Sequence, residues 1–76
     1  MRFKLTSHAR DRMRERHIVD ANVAEVLVQP DSATDDPSHR SVRLERRLAQ
    51  GILVVWVVAP WPPASTIVVK STAWRE

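Results

Sequence analysis

Residues 52–58, Ile-Leu-Val-Val-Trp-Val-Val, are apolar without a break and mostly β-branched. Nothing else in the chain constrains its fold as strongly. With Ala59 the apolar stretch is still far too short to cross a bilayer. It is the right length for a strand buried on both faces. A sheet must therefore form around it, with this strand central or nearly so. On its N-terminal side, Val42, Leu44 and Leu48 alternate with Arg43, Glu45 and Arg47, the pattern of a strand with one wet face. Arg46 interrupts the apolar side and is expected near the strand end or the sheet edge. Gln50-Gly51 makes a tight turn between the two strands. On the C-terminal side, Pro60-Trp61-Pro62-Pro63 is a stiff connection without ladder donors. Thr66 to Trp74 then reads as the last strand, centred on Ile67, Val68 and Val69.

The first half has a different period. Phe3 and Leu5 alternate with Lys4 in a short extended lead-in, and Thr6 or Ser7 is a good N-cap. Helix 1 is predicted from about His8 to Arg16, with Ala9 and Met13 as its core stripe. At about 100° per residue, His8, Arg12 and Arg16 fall on one flank of that stripe. Arg10 and Arg14 fall on the other. Asp11 and Glu15 face solvent, where they pair with neighbouring arginines. The helix stops near His17 in a left-handed conformation, which glycine would adopt at lower cost. Helix 2 covers about Asp20 to Gln29, with Val23, Val26 and Leu27 as its apolar stripe, and Pro30 ends it. Residues 30–39 hold turn formers without periodicity and read as an exposed loop. The expected architecture is α+β, with two N-terminal helices packed on one face of a three- or four-stranded antiparallel sheet.

At 76 residues the chain is one domain, and so small a domain buries only about 60% of its unfolded surface. There is no cysteine, so disulfides and cysteine metal sites are excluded. The three histidines lack i, i+4 ligand spacing, and neither a metal nor a cofactor is expected. The single glycine excludes a glycine-rich phosphate loop. The N-terminus lacks the apolar core of a signal peptide, so the reading is a cytoplasmic protein with no membrane partner. The formal charge is +3, and ten of the twelve basic residues are arginine. Arginine suits bidentate contacts to phosphate or carboxylate, although GC-rich coding produces the same bias.

Thr6, His8, Ala9, Arg12, Met13, Arg16 and Ile18 form a Thr-x-His-Ala, Arg-Met, Arg-x-Ile pattern. With the helix 2 stripe, Pro30 and the ending Lys70-Ser71-Thr72-Ala73-Trp74, it resembles the domain-of-unknown-function family numbered four-two-five-eight over nearly the whole chain. His17 departs from that family, which usually has glycine there. The family is similar in architecture to the RelE, ParE and BrnT toxins, a fold shared by several metal-independent ribonucleases. The resemblance implies a RelE/BrnT-like arrangement with an RNA-facing surface, and a place in a toxin–antitoxin pair. The partners it implies are an antitoxin protein, RNA or the ribosome. A domain this small is also open to pairing with a second copy of itself.

Metal-free RNA cleavage needs a base for the 2′-hydroxyl, an acid for the leaving 5′-oxygen, and cations for the phosphorus centre. Histidine titrates nearest neutral pH, which makes His8 the leading acid–base candidate. Arg12 and Arg16 share its flank of helix 1 and are the candidates to hold phosphate. Lys70 and Arg43 approach from the sheet, Thr72 offers a hydrogen bond, and Trp74 a stacking surface. Trp56 is expected in the core, and Trp61, among prolines, at a partner contact. Against this stands a structural reading, in which His8 caps or buttresses the helix start and Arg16 binds a backbone carbonyl or a carboxylate. The competing functional class is a non-catalytic module that binds nucleic acid or an acidic protein through its basic face.

Overall fold

A computed structural model of the chain describes residues 2–75. In order these form strand β1 (Phe3–Leu5), helix α1 (Ser7–Arg16), helix α2 (Asp20–Val28), strand β2 (Ser32–Asp36), a 3₁₀ turn (Pro37–His39), and strands β3 (Ser41–Leu48), β4 (Gly51–Val58) and β5 (Ile67–Arg75). They make one five-stranded sheet in the order β1-β5-β4-β3-β2. The apolar run is thus the middle strand. It pairs antiparallel with β3 on one edge and β5 on the other.

Both helices lie on one face of the sheet. Leu53, Val55 and Val57 of β4 point toward them, joined by Val42 and Leu44 of β3 and by Ile67 and Val69 of β5. Ala9 and Met13 of α1, Ile18, and Val23, Val26 and Leu27 of α2 complete this core. Each of these side chains larger than alanine contributes on the order of 1.5–3 kcal/mol when removed from water, before the entropy of ordering it. Among the described residues, no helix covers the opposite sheet face. Ile52, Val54 and Trp56 lie on it between the β3 residues Arg43, Glu45 and Arg47 and the β5 residues Ser71, Ala73 and Arg75. Val54 is nevertheless 2% exposed. Its cross-strand neighbour Glu45 is held between Arg43 and Arg75, and these long side chains cover the valine.

The sheet differs from the expected one in three ways. The lead-in is a true strand, because Phe3–Leu5 pairs parallel with Ile67–Val69. The exposed loop expected at residues 30–39 contains β2, antiparallel to β3, and a 3₁₀ turn. The sheet is therefore five-stranded and mixed, not three- or four-stranded and antiparallel. Both missed strands are edges. β2 buries none of its residues fully and so leaves no hydrophobic period in the sequence. Arg46 lies two residues from the end of β3, beyond the stretch that pairs with β2, near the strand end as expected. It pairs with Leu53 on the helix-facing side, and its guanidinium donates to the Glu25 carbonyl near the end of α2. That carbonyl also accepts from the Gln29 amide at 3.3 Å, so the guanidinium is a second donor at the end of the helix. Trp56 is half-buried on the open face and not in the core, while Trp61 is half-buried against it.

β5 contains a bulge. Val57 pairs with Val69 and Trp56 with Ser71, so Lys70 is an extra residue. Val69 faces the helices, and after the bulge Thr72 and Trp74 do so as well. The two-residue period is thereby shifted by one, and Lys70 and Ser71 are both turned to the other side.

α1 ends where expected. His17 has φ 56° and ψ 43°, and both its amide and that of Ile18 reach the Met13 carbonyl. That is a left-handed cap held by a side chain with a Cβ penalty. His17→Gly is expected to raise unfolding free energy by up to about 1 kcal/mol, read from urea denaturation at unchanged m-value.

Candidate functional site

The bulge fixes the start of α1. The Thr6 amide donates to the Val69 carbonyl at 3.1 Å, and the Thr6 hydroxyl donates to the Lys70 carbonyl at 3.2 Å. The same hydroxyl oxygen accepts from the Ala9 amide at 3.1 Å, so one side chain caps the helix and joins it to the sheet. His8, the second residue of the helix, is carried to the rim of a cleft of about 330 Å³ on the open side. His39, Asp36, Ser41, Trp56, Lys70 and Ser71 line the rest.

Within this cleft the polar groups are organised. His39 Nδ1 lies 2.9 Å from Asp36 Oδ2. Ser38 donates its hydroxyl to Asp36 Oδ1 at 2.8 Å. The Ser38 hydroxyl, then His39, hold the Asp36 carboxyl below its ordinary value of 3.8, against a smaller effect of burial. A carboxylate on Nδ1 favours the tautomer that leaves Nε2 free to accept a proton. Lys70 Nζ donates to the His39 carbonyl at 2.9 Å and to Ser41 Oγ at 2.7 Å, pinning the turn that bears His39 to β5. Two imidazoles, an ammonium and a hydroxyl thus converge beside an indole. Such a set can accept a proton, donate one, and offset charge on a phosphoryl group.

Of the residues singled out from sequence, His8 and Lys70 meet here, and the others do not. Arg12 pairs with Glu15 at 2.9 Å and is half-buried, and among the described residues its Nε has no partner. Arg16 donates to the Thr72 carbonyl at 2.7 Å, while the Trp74 indole donates to the Arg16 carbonyl at 3.0 Å. These contacts tie the end of α1 to β5, as Thr6 ties its start. Thr72 is fully buried, and among the described residues its hydroxyl has no partner. Arg43 sits with its guanidinium carbon 5.8 Å from the Trp56 ring centre and its Nε 2.8 Å from Glu45. It therefore backs the cleft through Trp56 without lining it. Arg14 is 80% exposed, with its guanidinium 3.8 Å from Asp11.

Sequence reading missed Asp36, His39, Ser41 and Ser71. His39 and Asp36 are three residues apart on a turn that has no periodicity, and Lys70 is brought to them only by the bulge. The Asp-x-x-His spacing across Pro37-Ser38 was the one available signal, since three residues is the reach of a 3₁₀ turn. Among the described residues, no group of three or more metal-ligating side chains is gathered. No helix among them is long and apolar enough to cross a membrane.

The family described as a domain of unknown function, DUF4258, matches residues 5–75, so the chain belongs to that family. No curated protein and no solved structure matches the chain.

Two expectations follow from these contacts. Thr6→Ala removes both the cap and the link to the bulge and should cost about 1–2 kcal/mol, with Thr6→Ser recovering most of it. Chemical denaturation of the three proteins checks this. The second concerns acid. The Glu45 carboxyl is held below its usual 4.5, first by the hydrogen bond from Arg75 and then by the charges of Arg43 and Arg75, with burial opposing. A carboxyl depressed in the folded state stabilises above its unfolded pKa, and that stabilisation is lost as pH falls through the folded value. Stability should therefore decline below about pH 4.5. Glu45→Gln should flatten the decline in urea melts across pH 3–5, relative to wild type.

Proposed function

We propose that the protein is a metal-independent ribonuclease, acting as the toxin of a toxin–antitoxin pair. The observation that carries this reading is the convergence of His8, the Asp36–His39 pair and Lys70 in one cleft beside Trp56. In the proposed reaction, His39 Nε2 takes the proton of the ribose 2′-hydroxyl, while Asp36 stabilises the imidazolium that forms. The 2′-oxygen attacks phosphorus, the bond from phosphorus to the 5′-oxygen breaks, and protonated His8 gives its proton to that oxygen. The products are a 2′,3′-cyclic phosphate and a 5′-hydroxyl. Lys70 offsets the charge that builds on the non-bridging oxygens. Trp56, backed by Arg43, offers the base a stacking surface. Arg12 and Arg16, the phosphate-holding candidates of the sequence reading, take structural roles in this proposal. The proposal takes the two helices on the β3–β4–β5 meander as its RelE/BrnT-like part, the architecture that the family resemblance implies.

One observation favours the second reading, a non-catalytic interaction module. A separate cleft of about 460 Å³ has Leu5, Met13, Ile18 and Val19 as apolar lining, with Arg10 and Arg14 and a single acid, Asp20, beside them. Apolar surface flanked by guanidinium groups fits an acidic protein segment. In a toxin–antitoxin pair that segment belongs to the antitoxin, and in the module reading it is the whole function.

The purified protein should cleave single-stranded RNA in the presence of EDTA and leave cyclic phosphate ends. His8→Ala and His39→Ala should each lower the rate about 10²–10⁴-fold with unchanged far-UV circular dichroism. Absence of cleavage on naked RNA and on ribosomes, with no growth arrest on expression, would sink the ribonuclease and leave the interaction module.

A further inference from the structure

The turn that carries His39 borders two clefts. Asp36, His39 and Ser41 line the cleft already described, while Asp35, Pro37, Arg40 and Ser41 line a second one of about 350 Å³. Its far wall is Pro60 and Trp61. Alternate residues of one short segment thus face two cavities, and the two share Ser41.

The second cleft is built from held parts. Arg40 has φ 53° and ψ 40°, a left-handed conformation. Its amide donates to the Pro37 carbonyl at 3.1 Å, and its carbonyl accepts from the Ala59 amide at 2.9 Å. The turn is thereby docked onto the end of β4. Trp61 lies between Pro60 and Pro62, whose rings restrict the backbone, and it packs against the core. The indole is half-buried, so part of it remains open to the cleft. An aromatic platform, a guanidinium and a carboxylate acceptor form a set that single-stranded nucleic acid can use. A base stacks, a phosphate meets arginine, and a base N–H finds an acceptor.

We infer that this second cleft is a nucleobase subsite for single-stranded RNA, with Trp61 as stacking platform, Arg40 contacting phosphate and Asp35 accepting from the base edge. It rests on the ribonuclease reading for its substrate, and it deepens that reading. The neighbouring nucleotide occupies the His8–His39 cleft against Trp56, so the two bases are splayed apart across the 37–40 turn. Splaying opens the stack and exposes the phosphodiester between them. Substrates of this protein are then unpaired segments, because a base paired in a helix cannot enter either cleft.

The test is a titration of the ¹⁵N-labelled full chain with a 2′-O-methyl octanucleotide, which binds as RNA but has no 2′-hydroxyl to attack. The indole N–H signals of Trp56, Trp61 and Trp74 are assigned by single Trp→Phe variants. Signals of Trp56 and Trp61 are expected to shift together, with Trp74 unmoved. Trp61→Leu, which keeps apolar bulk against the core, should weaken binding about ten- to hundredfold, and Trp61→Phe should retain most of it. Arg40→Gly keeps the left-handed turn and should reduce the slope of log affinity against log salt by about 0.7, one phosphate contact. A Trp56 shift without a Trp61 shift, or a Trp61→Leu variant that binds as tightly as wild type, overturns the subsite and leaves the ribonuclease reading intact. Conversely, a Trp61 shift in a protein that cleaves no RNA supports the subsite and removes the catalysis. Binding of neither tryptophan at millimolar oligonucleotide overturns the inference.

Discussion

The hydroxyl of Thr6 is the joint on which the architecture turns. It accepts from the Ala9 amide inside α1 and donates to the Lys70 carbonyl at the bulge of β5. Because the bulge shifts the period of β5, the strand sends Val69, Thr72 and Trp74 toward the helices and Lys70 and Ser71 away from them. One irregularity therefore serves both faces. Toward the helices it lets β5 bind α1 at two points, Thr6 at the start and Arg16 with Trp74 at the end. Toward the open side it presents Lys70 to the turn that holds His39. Without the joint, His8 and His39 belong to segments with no reason to be near each other.

The open sheet face poses a separate physical problem. An apolar central strand with helices on one side only leaves Ile52, Val54 and Trp56 on the other. The chain covers them with charged side chains and not with a second apolar layer. Glu45 stands between Arg43 and Arg75, and Arg43 lies over Trp56. The long arginine stems shed water from the valine while their ends remain solvated. The sheet edges are handled as briefly. β1 has three residues, and β2, Ser-Ala-Thr-Asp-Asp, is short and acidic, so neither offers a long apolar edge for another chain to extend.

Where the sequence reading succeeded, a physical period was present. Ala9 and Met13 at helical spacing, and Leu53, Val55 and Val57 in an apolar run, are read directly as core. The left-handed stop at His17 follows from the change of period around it. Where it failed, the deciding contact was between segments far apart in the chain. β1 is a strand only because β5 lies beside it, and three residues carry too little period to announce themselves. β2 is exposed along its length, and polar residues on an edge look like a loop. Arg12 and Arg16 share the angular position of His8, as the helical arithmetic says. Angle does not give height along the helix, though, and each step of four residues carries the side chain about 6 Å further from the cleft.

The amino-acid sequence alone determined the α+β class, the two helices with the caps of the first, the central strand, and His8 and Lys70 as residues worth following, because hydrophobic period and side-chain chemistry are local properties. Only the tertiary structure decided which polar residues meet. The pairing of Asp36 with His39 depends on a 3₁₀ turn held by Lys70, and Lys70 reaches that turn through a bulge. Neither leaves a repeat in the chain. Arg16, Thr72 and Trp74 likewise meet only in the folded chain, where Arg16 donates to the Thr72 carbonyl and the Trp74 indole to the Arg16 carbonyl, contacts between segments far apart in sequence.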